Sequence, residues 1–362
     1  MTTHNIRLLD IYTDYLLVSF GHASATGLAR LLPEISHDQV TRFLSQQELT
    51  DTDLWKIVKP PLRRIQSPEA VLILDDTVEG KPYTDESELV TWHFDHSQNR
   101  AVKGINLLSA LYLSQDTSLP VAFELIKKTE LVTDKKTGKD KWQSPKTKNE
   151  YARQMIASAL HKQIPFRYVL ADVWSSSTEN MVFIKIKARK DFVLPLKSNR
   201  KIALAVEHKK RGQWTTLSSL CFDTDAVVTL YLEGVAFPVL VARQVFTNED
   251  GSESILYLCS SDLSLSAASL SSIYQKRWKV EEYHTSLKSN ASFAKSPTKL
   301  PHTQGNHFFA SIVAFVKLEA YRTATRLNHF ALKGKLYQAA LASALQRLQQ
   351  IKAACLAATI IS

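Results

Sequence analysis

The chain has 362 residues, 44% of them hydrophobic and 22% charged, with a formal net charge of +10. This length and composition exclude a disordered or low-complexity protein and leave room for two or three domains with sizeable cores. The excess of lysine and arginine points to a polyanionic partner, either nucleic acid or an anionic membrane surface, with a merely basic soluble enzyme as the alternative.

Residues 1–67 read as short helices and turns. Ile6 to Phe20 carries apolar residues at helical spacing, and a second helix is expected over Ala23 to Leu32. Pro33-Glu34-Ile35 then makes a turn, and Ser36 can cap a helix from His37 to Leu44. This second helix of the pair presents Gln39, Thr41 and Arg42 beside apolar Val40 and Phe43, a pattern like that of a helix-turn-helix. We therefore expect residues 1–67 to form a small helical DNA-binding domain, with Gln39 and Arg42 reaching the DNA; a plain structural bundle is the alternative.

From Pro68 the pattern becomes α/β. Val71-Leu72-Ile73-Leu74 is a continuous apolar run ending in Asp75-Asp76, as in a strand buried on both faces. Strands are expected over Ile105 to Leu113 and Val121 to Ile126. A lysine-rich stretch follows (Lys127, Lys128, Lys135, Lys136, Lys139, Lys141, Lys146, Lys148), read as a solvated loop that could also lie along phosphates. After a helix from Glu150 to Leu160, Tyr168-Val169-Leu170-Ala171-Asp172 reads as a second central strand, again ending in aspartate. A helix over Thr178 to Ala188 and a strand over Phe192 to Leu196 complete this part. Residues 199–262 then read as a β-rich insertion, with strands at Val227 to Leu232, Phe237 to Val245 and Ile255 to Leu258, and a turn at Asn248-Glu249-Asp250-Gly251. From Ser264 onward the chain is expected to be helical.

The three cysteines, Cys221, Cys259 and Cys355, form no C-x-x-C pair, which supports neither a disulfide framework nor a zinc knuckle and fits a reducing, cytoplasmic compartment. The start, Met1-Thr2-Thr3-His4-Asn5, lacks the pattern of a signal peptide. The longest apolar stretches, Phe308 to Val316 and Ala353 to Ile361, fall short of the roughly 18 residues that span a membrane. No membrane partner is expected, and the polyanion is read as nucleic acid. His93 and His96, near Trp92, are read as surface or packing residues rather than metal ligands.

Two aspartates that each end a buried apolar strand must be desolvated, capped or bound to something positive. In open α/β sheets such strand ends line the ligand crevice. The third member comes from a helix expected over Ile273 to Lys288. At about 100° per residue, Tyr274, Arg277, Glu281 and Lys288 fall within an arc of roughly 60°. Ile273, Val280 and Leu287 form an adjacent apolar stripe that would dock the helix on the sheet. Glu282 points about 100° away from Glu281. An Asp, Asp, Glu set with no histidine or cysteine cluster suits Mg²⁺ or Mn²⁺ held through oxygen, and two such ions serve phosphodiester displacement.

Tyr274-x2-Arg277-x3-Glu281-x6-Lys288 resembles the Y-R-E-K signature of the DDE transposases of bacterial insertion sequences, in the branch that includes insertion sequence four. Asp75-Asp76-Thr77 resembles that family's first catalytic segment, in which the aspartate before threonine is the ligand, so the role passes to Asp76. Leu170-Ala171-Asp172 resembles the second segment. The resemblance covers roughly Val71 to Lys288. It implies an α/β fold: a ribonuclease-H-like catalytic core with a β-strand insertion over about 199–262, within a transposase domain of residues 68–362. It implies Asp76, Asp172 and Glu281 as catalytic metal ligands for two Mg²⁺ or Mn²⁺ ions, with Tyr274, Arg277 and Lys288 on the transferred DNA end and Trp214 of the insertion stacking on a base. The implied partners are double-stranded DNA, both terminal inverted repeats and target, bound by a dimer at the bacterial nucleoid. The rival readings are a ribonuclease-H-like nuclease that cuts without strand transfer, and a non-catalytic helix-turn-helix DNA-binding remnant.

Overall fold

The computed structural model describes residues 3–46, 48–95, 99–133, 138–220, 226–248 and 250–360. Met1, Thr2, His96, Lys135, Lys136, Cys221, Glu249 and Ile361, named above, lie outside them. The chain divides into two compact units, residues 1–48 with 285–362, and residues 49–284. Its first helices are α1 (Thr3–Val18), α2 (Ala25–Leu31), α3 (His37–Gln46) and α4 (Asp51–Ile65). Ser24 caps α2 by accepting the amide of Gly27 at 2.9 Å. At α3 the Ser36 hydroxyl and the Gln39 amide carbonyl answer each other's backbone amides, a reciprocal cap.

The second unit opens with α4, which packs against a strand of the large sheet. The strands β1 (Val71–Gly80), β2 (Thr91–Asp95), β3 (Arg100–Ser114) and β4 (Thr117–Leu125) follow. Part of the lysine-rich stretch, expected as a loop, forms a separate hairpin of β5 (Glu130–Thr133) and β6 (Asp140–Gln143). Next come α5 (Lys148–His161), β7 (Tyr168–Ala171), α6 (Thr178–Val182) with a π turn over Phe183–Lys187, and β8 (Asp191–Leu196). The insertion contributes β9 (Lys201–Ala203), α7 (Val206–Lys210), β10 (Thr215–Thr216), β11 (Val227–Leu232), β12 (Pro238–Thr247) and β13 (Glu253–Ser260).

These strands make one mixed sheet in the order β10-β9-β11-β12-β13-β8-β7-β1-β3-β2, with β4 also on β3. Its centre is β1, antiparallel to β3 and parallel to β7, which is in turn parallel to β8. The order β4-β3-β1-β7-β8 is compatible with a ribonuclease-H-like core. Val71, Leu72, Ile73 and Leu74 are all buried, as a strand covered on both faces requires. The insertion is not a separate layer: β13 pairs with β8, with Cys259 opposite Leu194, and carries the core sheet onward. Gly104 of β3 stands opposite both Gly80 and Thr91, and a Cβ there would collide with the carbonyl of Glu79.

The helix expected from Ile273 to Lys288 is two helices, α8 (Ala267–Gln275) and α9 (Trp278–Asn290). The joint at Lys276-Arg277 is a tightened turn, in which the amides of Lys276, Arg277, Lys279 and Val280 bond three residues back. The last helices are α10 (Pro301–Thr325) and α11 (His329–Ile360).

Helices α1 to α3 fall in the unit that also holds the C-terminal helices, and α4 falls in the unit that holds the sheet. Side-chain chemistry explains the grouping. Buried Tyr12 of α1 bonds His307 of α10 at 2.9 Å, Ser292 donates to the Leu16 carbonyl, and Asn306 donates to the Leu44 carbonyl at 2.8 Å. Phe308, Phe309 and Ile312 of α10 join Leu9, Leu16 and Phe43 in the core of that unit. The apolar faces of α1 and α3 thus find their cover on a helix some 260 to 300 residues away in sequence. No helix among the described residues is long and apolar enough to cross a membrane.

Candidate active site

Side chains alternate across a strand, so Asp75 and Asp76 face opposite sides of the sheet. Ser109 lies opposite Asp75 in register and touches the hydroxyl of Tyr283 from α9, at 3.5 Å. Asp75 is therefore on the α9 side. Asp76 lies on the other side, where its Oδ2 accepts from Lys148 Nζ of α5 and from Asn106 Nδ2, each at 2.7 Å.

On the Asp75 side the ligand atoms of Asp75, Glu281 and His284 all lie within 4.8 Å of one another. Glu281 and His284 are three residues apart on α9 and hence on one face. Arg277 stands between the acids, with Nη1 3.0 Å from Asp75 Oδ2 and 3.5 Å from Glu281 Oε1, and its guanidinium lies 5.9 Å from the Tyr274 ring centroid. Glu282, by contrast, is exposed and pairs with Lys279 at 2.8 Å. The helical-wheel separation of the two glutamates survives the break between α8 and α9.

Asp172 follows the last residue of β7. Since Leu74 pairs with Ala171, Asp172 comes next to Asp75 along the parallel strands. Its carboxylate caps the turn that follows by accepting the Val173 amide at 2.6 Å. It is not one of the residues that meet within 4.8 Å, but its charge acts on both Tyr274 and Arg277.

Burial raises Asp75 to about 7, and the neighbouring Asp76 and Glu281 charges add to the rise, while Arg277 opposes it. Tyr274 is pushed up to about 12, chiefly by burial. Burial works against the charge on Arg277, yet Tyr274 and the surrounding carboxylates outweigh it and raise its pKa. The centre thus gathers more negative charge than its one guanidinium answers.

The donors fit a divalent metal. Carboxylate oxygens from Asp75, Glu281 and, one step along the sheet, Asp172 suit the hard cations Mg²⁺ and Mn²⁺, and an imidazole nitrogen is compatible with Mn²⁺. Arg277 occupies the position between the acids where positive charge is needed.

Of the residues expected from sequence, Tyr274, Arg277 and Glu281 come together with the strand ends. Lys288 is half-buried in the last turn of α9. Asp76 is turned away and engaged with Lys148. Trp214 is half-buried in the loop before β10. Gln39 is committed to the α3 cap, whereas Arg42 is exposed, with Nε 3.3 Å from the Asp38 carbonyl. Asp75 and His284, which the sequence reading does not single out, stand in this cluster. The spacing Glu281-x-x-His284 was the available signal for the histidine, since it places two ligands one turn apart on a helix.

An acidic strand-end centre faced by a helix carrying arginine and glutamate is compatible with a nuclease-type enzyme. Residues 2–215 match the family described as DDE superfamily endonuclease, and residues 122–316 match the transposase DDE domain. The chain belongs to the DDE superfamily and carries a transposase DDE domain, which makes DNA its partner. The first match contains Asp75, Asp76 and Asp172, and the second contains Asp172 and Glu281. A comparison with curated proteins found no match.

Proposed function

We propose that the protein is a DNA transposase of the Y-R-E-K branch that binds the terminal inverted repeats of its element, cleaves there and joins the freed 3′ end to target DNA. The observation that carries this reading is the convergence of Asp75, Glu281 and His284 around Arg277. In this reading Asp75 takes the role expected of Asp76, because Asp75 is the aspartate on the Glu281 side of the sheet. Asp75, Asp172 and Glu281, with His284 beside them, hold the divalent ions, Mg²⁺ or Mn²⁺ and two in number by resemblance. Such ions lower the pKa of bound water and stabilise the leaving oxygen in phosphodiester displacement.

The chain's own residues do the rest. Arg277 offers a planar fork that suits a scissile-strand phosphate, and Tyr274 steadies it from the ring side. Lys288 adds a further phosphate contact along the helix. The exposed face of α3, with Arg42, is the reading surface for the element's end, in a dimer assembled on DNA in the cytoplasm. Trp214 is the candidate for stacking on an unpaired base.

The test is Mn²⁺-dependent nicking of a plasmid that carries the gene with its flanking DNA, run beside calorimetric Mn²⁺ binding. Asp75→Asn and Glu281→Gln are expected to lose both nicking and metal binding, and Asp172→Asn to lose nicking. Asp76→Asn should keep its metal binding. Metal binding lost in Asp76→Asn and kept in Asp75→Asn would overturn the assignment.

A further inference from the structure

A cavity of about 430 Å³ opens beside the acidic centre, within the roughly 300–1,000 Å³ common for ligand sites. One wall is the turn that directly follows Asp172, with Trp174, Ser177 and Thr178; the other is the connection from β8 to β9, with Lys197, Arg200 and Lys201. Three cations thus face one acid, Glu233. Lys201 and Glu233 are 3.8 Å apart and both are well exposed, so that pair neutralises little.

Among the described residues Lys197 and Arg200 form no ion pair with a carboxylate, although the Glu179 charge acts on Arg200. Arg200 spends one Nη2 hydrogen on Thr178 Oγ1, at 2.8 Å, while its Nε finds no acceptor. The indole N–H of Trp174 likewise finds none. Lys197 and the guanidinium of Arg200, in the wall of a cavity with surplus positive charge, suit an anion with several oxygens. The cavity is too small for a duplex, whose major groove alone is about 12 Å wide, and it begins one residue after Asp172.

We propose that this cavity is a subsite for the phosphodiester backbone of an unpaired DNA strand as it leaves the acidic centre. The inference rests on the proposed function, since it takes the strand at Asp172 to be DNA. Lys197 and Arg200 hold the phosphate. Because the walls come from the core strands β7 and β8, the subsite is fixed to the same sheet that carries Asp75.

Fluorescence anisotropy of the full-length protein tests this with two probes, a blunt duplex of random sequence and the same duplex bearing a single-stranded tail, each titrated with salt. Wild type is expected to prefer the tailed probe. Lys197→Gln with Arg200→Gln should abolish the preference and lower the salt slope for the tailed probe by about 0.7 for each phosphate no longer held, leaving the blunt probe's slope unchanged. Arg200→Lys, which keeps the charge, should retain most of that slope. Lys197 is exposed, so Lys197→Gln alone carries the test if the double variant fails to fold. A tail preference unchanged in the variants would overturn the subsite, as would an equal loss on both probes or a wild type that binds both alike. A wild type that binds neither probe would overturn the proposed function itself.

Discussion

Arg277→Ala removes the cation that stands between Asp75 and Glu281, and its effect can be sized from the geometry. The side chains of Asp75 and Arg277 are 9% and 16% exposed and 3.0 Å apart. Stripping one partner from a wholly buried ion pair costs about 3–5 kcal/mol, because the charge left behind stays desolvated. Glu281 is 41% exposed and can turn to water, so the Asp75 contact dominates and the loss should fall near the lower end, about 3 kcal/mol. The penalty depends on Asp75 being ionised. It should be largest above about pH 7 and shrink below it, as Asp75 takes up a proton instead. The assay is urea unfolding without divalent metal for wild type, Arg277→Ala, Asp75→Asn and the double variant, above and below that pH. A coupling of about 2–3 kcal/mol is expected above it. Added Mn²⁺ should stabilise Arg277→Ala more than wild type, since a bound cation then answers Asp75 and Glu281. Additive single effects, with no change across pH 7, would refute the reasoning.

The raised pKa of Asp75 also makes stability depend on pH. The fold binds a proton that the unfolded chain releases, so this group's contribution is full below its ordinary 3.8 and is lost as pH rises through about 7, at most about 4 kcal/mol in all; Asp75→Asn should flatten the metal-free stability profile across that window, as measured by urea midpoints. Gly104→Ala should destabilise by about 3 kcal/mol, through collision with the Glu79 carbonyl, with thermal unfolding as the check. Tyr12→Phe should weaken the helical unit by about 1–2 kcal/mol through loss of its bond to His307, read from hydrogen exchange of α1 and α10 amides. Arg42→Ala should lower DNA affinity at unchanged stability, whereas Gln39→Ala should fray α3 by about 1 kcal/mol, resolved by pairing anisotropy with circular dichroism.

Legibility in the sequence followed the range of the physics involved. Val71 to Leu74 and Tyr168 to Ala171 were plain as central strands because both faces are buried, and β11 was read at its observed bounds. The Glu281 face of the helix was readable because periodicity is local. Which of Asp75 and Asp76 faces Glu281 was not, since it depends on which face of β1 meets α9 and which meets α5, a matter of tertiary packing that no spacing in the chain encodes. The break at Lys276-Arg277 was invisible for a different reason: neither residue is a helix breaker, and the tightened turn arises where α8 gives way to α9. The grouping of α1 to α3 with α10 and α11 was also out of reach, because Tyr12 and His307 are joined across nearly the whole chain.

The pairing of β13 with β8 bears on how the sheet is kept from pairing between molecules. Without the insertion, β8 would be an outer strand, apolar on both faces over Phe192-Val193-Leu194-Pro195-Leu196, with a row of open backbone groups that invites pairing between molecules. The inserted strands move that margin outward to β10, which is two residues long and made of threonines. A stretch of chain between the second aspartate and the glutamate therefore also guards the sheet against sticking to its neighbours. Any trimmed version of the enzyme that removes residues 199–262 leaves an adhesive edge behind, even if every residue of the acidic centre is kept.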